Sequence, residues 1–90
     1  MLISVHKFGT TLISRPSGKE ALLAFQSTLD NLSKKEPLVI DFGEVITLTP
    51  SWADEFLSPL IKKYKNRIKL VNTTNASVTE TLKTLKPLWD

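Results

Sequence analysis

The chain has 90 residues, 41% hydrophobic and 23% charged, with a net charge of +3 and no cysteine. That is ordinary globular usage for one small domain over residues 1–90 and argues against disorder. The absence of cysteine excludes disulfides, thiolate catalysis and cysteine-held metal, and it fits a reducing cytoplasm.

The opening "LISVHKF" alternates imperfectly and reads as a first strand. Gly9 and Thr10 predict a tight turn into "TLIS", a second short strand, so an N-terminal hairpin is expected. In "RPSG", Pro16 disfavours helix at Arg15, and Ser17 with Glu20 forms a capping-box pattern. Leu22, Phe25, Leu29 and Leu32 then recur on one face of a helix from about Lys19 to Ser33, which "KKEP" ends. The apolar run "LVIDF" that follows is the mark of a strand covered on both faces.

Ala53, Phe56, Leu57, Leu60, Ile61 and Tyr64 give the clearest amphipathic helix. Pro59 lies inside it, removes one donor, and is expected to kink the helix or shift its start. "IKLV", Ile68 to Val71, is another strand. After the turn "NTTN", Asn75 or Ser77 caps a last helix bearing Val78, Leu82 and Leu85, which Pro87 stops. Strands alternating with helices predict an α/β domain: a mixed sheet, made of the N-terminal hairpin plus parallel strands, packed by about three helices. No basic leader with a long apolar run opens the chain, and no segment approaches the ~18 apolar residues of a membrane span, so a cytoplasmic protein is expected.

Catalytic signatures are absent. His6 is the sole histidine, and a lone strand histidine is more often an exposed or hydrogen-bonded side chain than a base. There is no G-x-S-x-G, Walker loop or G-x-G-x-x-G, and three glycines cannot build a phosphate cradle. One histidine does not make a metal site. The expectation is a protein without enzymatic activity, cofactor or metal. Lys62, Lys63, Lys65, Arg67 and Lys69 form a basic run. It reads as a solvated helix end, since the excess charge is slight for a nucleic-acid surface.

Asp41 falls near the carboxyl end of a central strand, where open α/β sheets place ligands; its plainer role is to accept hydrogen bonds from the following loop. Asp54 and Glu55 lie in a first helical turn, which favours negative charge. In "TPSW", either Thr49 caps the helix with Pro50 at its first position, or Ser51 caps it with Asp54 three residues on. Both registers put the Ser51 hydroxyl beside free backbone N–H groups, a place that suits a phosphate as well as an unmodified cap.

The stretch "VIDFGEVITLTPSWADEFL" resembles the core of STAS domains, the modules of bacterial anti-sigma-factor antagonists. It is closer still to the STAS-like domain family of uncharacterised bacterial proteins, with Asp41, Phe42, Val45, Thr49, Ser51, Trp52, Ala53, Asp54 and Glu55 at the pattern positions. "ISRPSG" is similar to that family's Ser-Arg turn at Ser14 and Arg15. The resemblance implies a serine phosphorylated by a partner ATPase of the histidine-kinase-like type, and the matching position is Ser51. The antagonists carry an Asp before their serine pair and a Gly after it, where this chain has Thr49, Pro50 and Trp52. Trp52 then either blocks a kinase, anchors a partner or packs in the core.

The reading is a non-enzymatic regulatory module that binds a protein partner through Thr49, Ser51, Trp52, Asp54 and Glu55, with Ser51 as a candidate phosphorylation switch. The alternative is a small-ligand or nucleotide sensor using the loop after Asp41, with Ser14 and Arg15 as further candidates. A nucleic-acid role through the basic run is a third reading. The oligomeric state stays open, a homodimer through the basic helix being one arrangement.

Overall fold

Parallel pairing organises the whole chain. The structure is a computed structural model that describes residues 1–89. Strands β1 (Leu2–Ser4), β3 (Leu38–Asp41) and β5 (Ile68–Val71) form one parallel sheet in the order β1-β3-β5. A second parallel pair joins β2 (Thr11–Leu12) to β4 (Thr47–Leu48). Helices α1 (Arg15–Leu29), α2 (Pro50–Tyr64) and α3 (Ala76–Trp89) complete the chain.

The α/β class and the three helices agree with the sequence reading, but the mixed sheet and its N-terminal hairpin do not. β1 gives its pairing edge to β3, where Val39 N–H donates to Met1 O at 2.8 Å. β2 gives its edge to β4, where Thr47 N–H donates to Thr10 O and Thr49 N–H to Leu12 O. Between them, Val5–Phe8 winds into a 3-10 turn, so His6 is exposed on that turn and not in a strand. The turn carries Phe8 onto the Trp52 and Phe56 rings.

Helix α1 starts four residues before its expected place. Ser14 caps it by accepting from Ser17 N–H at 3.2 Å, and Pro16 sits in the first turn, where a missing donor costs nothing. Its far end leaves the helix at Leu29, and beyond it Arg67 donates to the Ser33 and Lys34 carbonyls. The buried face is therefore Gly18, Ala21, Phe25 and Leu29, while Leu32 lies beyond the helix. Helix α2 runs through Pro59, whose ring is exposed. Helix α3 likewise continues past Pro87 to Trp89, so this proline does not stop it. A proline near a helix end forfeits one hydrogen bond, and Trp89 is held instead by its indole N–H donating to Ser58 Oγ at 2.8 Å.

One core serves all elements. Ile3, Leu38 and Ile40 of the sheet bury against Phe25, Phe56, Leu57, Leu60 and Val78 of the helices. The register rows alternate as a pleat demands: Ile3, Ile40 and Leu70 face the helices, whereas Leu2, Val39 and Lys69 form the opposite row. On this outer row Leu2 is 63% exposed and Lys69 is exposed as well.

Helices α1 and α2 meet closely at Gly18. A Cβ on Gly18 would stand 2.4 Å from the Trp52 carbonyl oxygen, so only glycine fits there. Elsewhere the backbone is strained: Lys65, the residue closing α2, sits at φ 48° and ψ −122°, a conformation glycine adopts freely and lysine holds at a cost of about 1–3 kcal/mol. Replacing Gly18 with alanine would gain up to ~1 kcal/mol of helix propensity. The backbone collision should nevertheless leave the protein about 1–3 kcal/mol less stable in urea unfolding. A variant as stable as the parent would mean that the two helices separate without loss.

Candidate functional site

The parallel β2–β4 pair delivers the N-termini of α1 and α2 side by side. Both begin in the same way, with an apolar residue, a hydroxyl cap and a proline: Ile13-Ser14-Arg15-Pro16 and Leu48-Thr49-Pro50. Their packing differs. A residue before the cap normally staples onto the fourth helical side chain. In α2 that pair is Leu48 and Ala53, both buried, whereas in α1 it is Ile13 and Gly18. Glycine offers no side chain to cover Ile13, which is left 54% exposed.

The register of α2 is set by Thr49. Its Oγ1 accepts from Trp52 N–H at 3.4 Å and donates to Ile13 O at 2.8 Å, while Thr49 O accepts the first helical bond from Ala53. Ser51 is thus the second helical residue and not the cap. It is half-buried, and among the described residues its hydroxyl takes no part in the hydrogen bonds of the turn, which run from Thr49, Asp54 and Ser58.

Trp52 lies in the core and not at the surface. Its side chain has 0% exposure and stacks on Phe56 with centroids 4.9 Å apart, so it packs the core instead of anchoring a partner. Its indole N–H has no hydrogen-bond partner among the described residues.

Arg15 meets the acids of α2. Its guanidinium lies 2.9 Å from Asp54 Oδ2 and 3.3 Å from Glu55 Oε1. Ser58 donates to Asp54 Oδ1 at 2.7 Å. The Ser58 bond first, and Arg15 second, hold the Asp54 carboxyl below its ordinary value of 3.8, and Asp54 and Glu55 hold Arg15 more firmly protonated. Ser58 itself receives the Trp89 indole N–H. A continuous run of polar contacts therefore links Trp89, Ser58, Asp54, Arg15 and Glu55.

Asp41 lies apart from this cluster. Its Oδ1 accepts from Asn72 Nδ2 and from Gly43 N–H, both at 2.8 Å, and these two bonds lower its pKa in that order. The carboxylate tethers the loop after β3 to the end of β5, the plainer of its two expected roles. Ser14 and Arg15, grouped with Asp41 in the sensor reading, stand at the α1 and α2 mouths instead: Ser14 caps α1, and Arg15 pairs with α2. Of the basic run, Arg67 binds the Ser33 and Lys34 carbonyls and stacks on Tyr64.

Sequence reasoning did not single out Ile13 or Ser58. The signal for Ile13 was present: an apolar residue before a cap whose staple position is glycine. Ser58 gave none, because its role depends on Trp89 arriving from another helix.

A small parallel α/β domain in which a short strand and a hydroxyl-capped helix follow the central strand fits a STAS-like module. The family model described as STAS-like domain of unknown function (DUF4325) matches residues 25–78, more than half of the chain, and the chain belongs to that family. Neither curated proteins nor solved structures gave a match. Among the described residues no helix is long and apolar enough to cross a membrane.

The Asp54 network carries a pH signature. A carboxyl whose folded pKa is lowered stabilises fully above its unfolded value, here 3.8, and loses that contribution as pH falls through the lower folded value. Thermal scans from neutral pH to acid should show a stability loss below pH ~4 that is smaller in Asp54→Asn than in the parent. Ser58→Ala, which strands the Trp89 indole, should cost about 1–3 kcal/mol at neutral pH, read by urea titration.

Proposed function

We propose that the protein is a non-enzymatic regulatory module that binds a protein partner through the paired mouths of α1 and α2, with Ser51 as its charge switch. The reading rests on one observation: the Ser51 hydroxyl is uncommitted among the described residues, half-buried at the helix mouth, while those of Ser14, Thr49 and Ser58 beside it are engaged. Ile13 beside Thr49 adds apolar contact area, and Thr49, Asp54 and Glu55 supply the half-buried polar rim expected of such a face. The resemblance to anti-sigma-factor antagonists supports a partner of the histidine-kinase-like ATPase type.

The switch follows from local charge. Two carboxylates against one guanidinium leave one net negative charge at this mouth. A phosphate on Ser51 adds about 1.5–2 more negative charges, three and four residues before Asp54 and Glu55. It gains from the helix N-terminus and competes with both acids for Arg15. An acidic or apolar partner surface then meets a strongly anionic mouth and is released.

Incubation with such an ATPase and ATP, followed by mass spectrometry, should place a single phosphate on Ser51. Ser51→Glu should weaken partner association about tenfold or more, while Ser51→Ala binds like the parent and resists modification. Equal association of both variants would remove the switch, and undiminished association of an Ile13→Asp variant would remove the docking face.

A further inference from the structure

A second surface lies away from these mouths. An open trough of about 540 Å³ runs between α3, the end of α2 and the edge strand β5. Its floor is Ile61, Ile68, Leu70, Leu82 and Trp89, every one of them half-buried and none sealed by a neighbour. Lys65, Lys83 and Lys86 stand on its rim, and no acid among the described residues lines it. None of these three lysines forms an ion pair with a described residue, unlike Arg15. Apolar floor and cationic rim together specify what fits.

We propose that this trough docks an acidic amphipathic helix of a partner protein. The trough follows α3 from Thr79 to Trp89, a run of eleven residues spanning about 15 Å, which is the length of nearly three turns of a second helix. Such a helix lays an apolar i, i+3, i+4, i+7 stripe on the floor and flanking carboxylates on the three lysines. A second copy of this chain is disfavoured, because its matching face carries the same cationic rim and the chain is net positive. Lys65 adds an independent observation. It occupies a backbone conformation suited to glycine, at φ 48°, and so places an ammonium on the rim at the expense of stability. The surface is separate from the Ser51 mouth, and either can fail without the other.

The test uses two synthetic 16-residue helical peptides with the same leucine stripe, one flanked by glutamates and one by lysines. Titrated into the isotopically labelled protein, the glutamate peptide should shift the amides of residues 68–71 and 79–89 and bind at least about tenfold tighter than the lysine peptide. The Lys83→Glu, Lys86→Glu double variant should invert that preference. Lys65→Gly should raise Tm by roughly 4 °C and yet weaken the glutamate peptide, a split that a purely structural lysine would not give. Equal binding of the two peptides, amide shifts mapping elsewhere, or an unchanged preference in the double variant would overturn the proposal. So would sedimentation showing a dimer closed through α3, or decanoate saturating the trough while the glutamate peptide stays inert.

Discussion

The close approach of Gly18 of α1 to the Trp52 carbonyl of α2 sets the geometry of the two helix starts around it. Two helices can run this near only where one has no side chain. The joint also brings two helix N-termini together, an arrangement that dipole electrostatics disfavour. The chain offsets this with three short-range devices. The β2–β4 ladder fixes the two helix starts side by side, Thr49 Oγ1 bonds across to Ile13 O, and Arg15 bridges to Asp54 and Glu55. The bridge is exposed, so its own contribution is at most ~1 kcal/mol; its larger effect is to fix which acids face which helix.

The contact also explains why the turn before α2 combines hydroxyls, proline, tryptophan and acids. Trp52 must be large because its ring, with Phe8 and Phe56, fills the space beneath the joint, while its carbonyl must remain open to Gly18. Thr49 must carry a hydroxyl because it both caps α2 and reaches the neighbouring segment before α1. Pro50 needs no donor at the first helical position. Each of these residues is accounted for by packing or by backbone satisfaction. Ser51 is not: its hydroxyl has no hydrogen-bond partner among the described residues.

Local pattern carries the strands and helices because period and burial coincide there. Ile68–Val71 and the α2 face follow directly from apolar spacing. The pairing of strands is hidden, since Gly9 and Thr10 are as compatible with a hairpin as with a bend, and only the arrival of β4 decides the partner of β2. The start of α1 is obscured for a related reason. Two serines flank Arg15-Pro16, and choosing Ser14 over Ser17 requires knowing that Gly18 must already be helical to meet Trp52. Asp41, Asp54 and Glu55 are legible as residues of interest, but their partners are not, because Asn72 and Arg15 come from elements distant in the chain. Trp52 is legible as either anchor or core, and burial alone separates the two.

Distance makes the two surfaces of the molecule electrostatically separate. Helix α2 has 15 residues and so spans roughly 22 Å from the Ser51 mouth to the Lys65 rim. At physiological salt, exposed charges are screened over about 8 Å, so a phosphate at one end is scarcely felt by lysines at the other. What joins the ends is covalent and hydrogen-bonded structure. Trp89, on the trough floor, holds Ser58; Ser58 holds Asp54; and Asp54 shares Arg15 with Glu55 at the mouth. Each bond in that run needs the rotamer of the one before it. A charge change at Ser51 that draws Arg15 away from Asp54 leaves Ser58 as the remaining partner of that carboxylate, and Ser58 is the group that fixes the Trp89 ring. Coupling between mouth and trough, where it operates, must therefore pass through these side chains and not through the field.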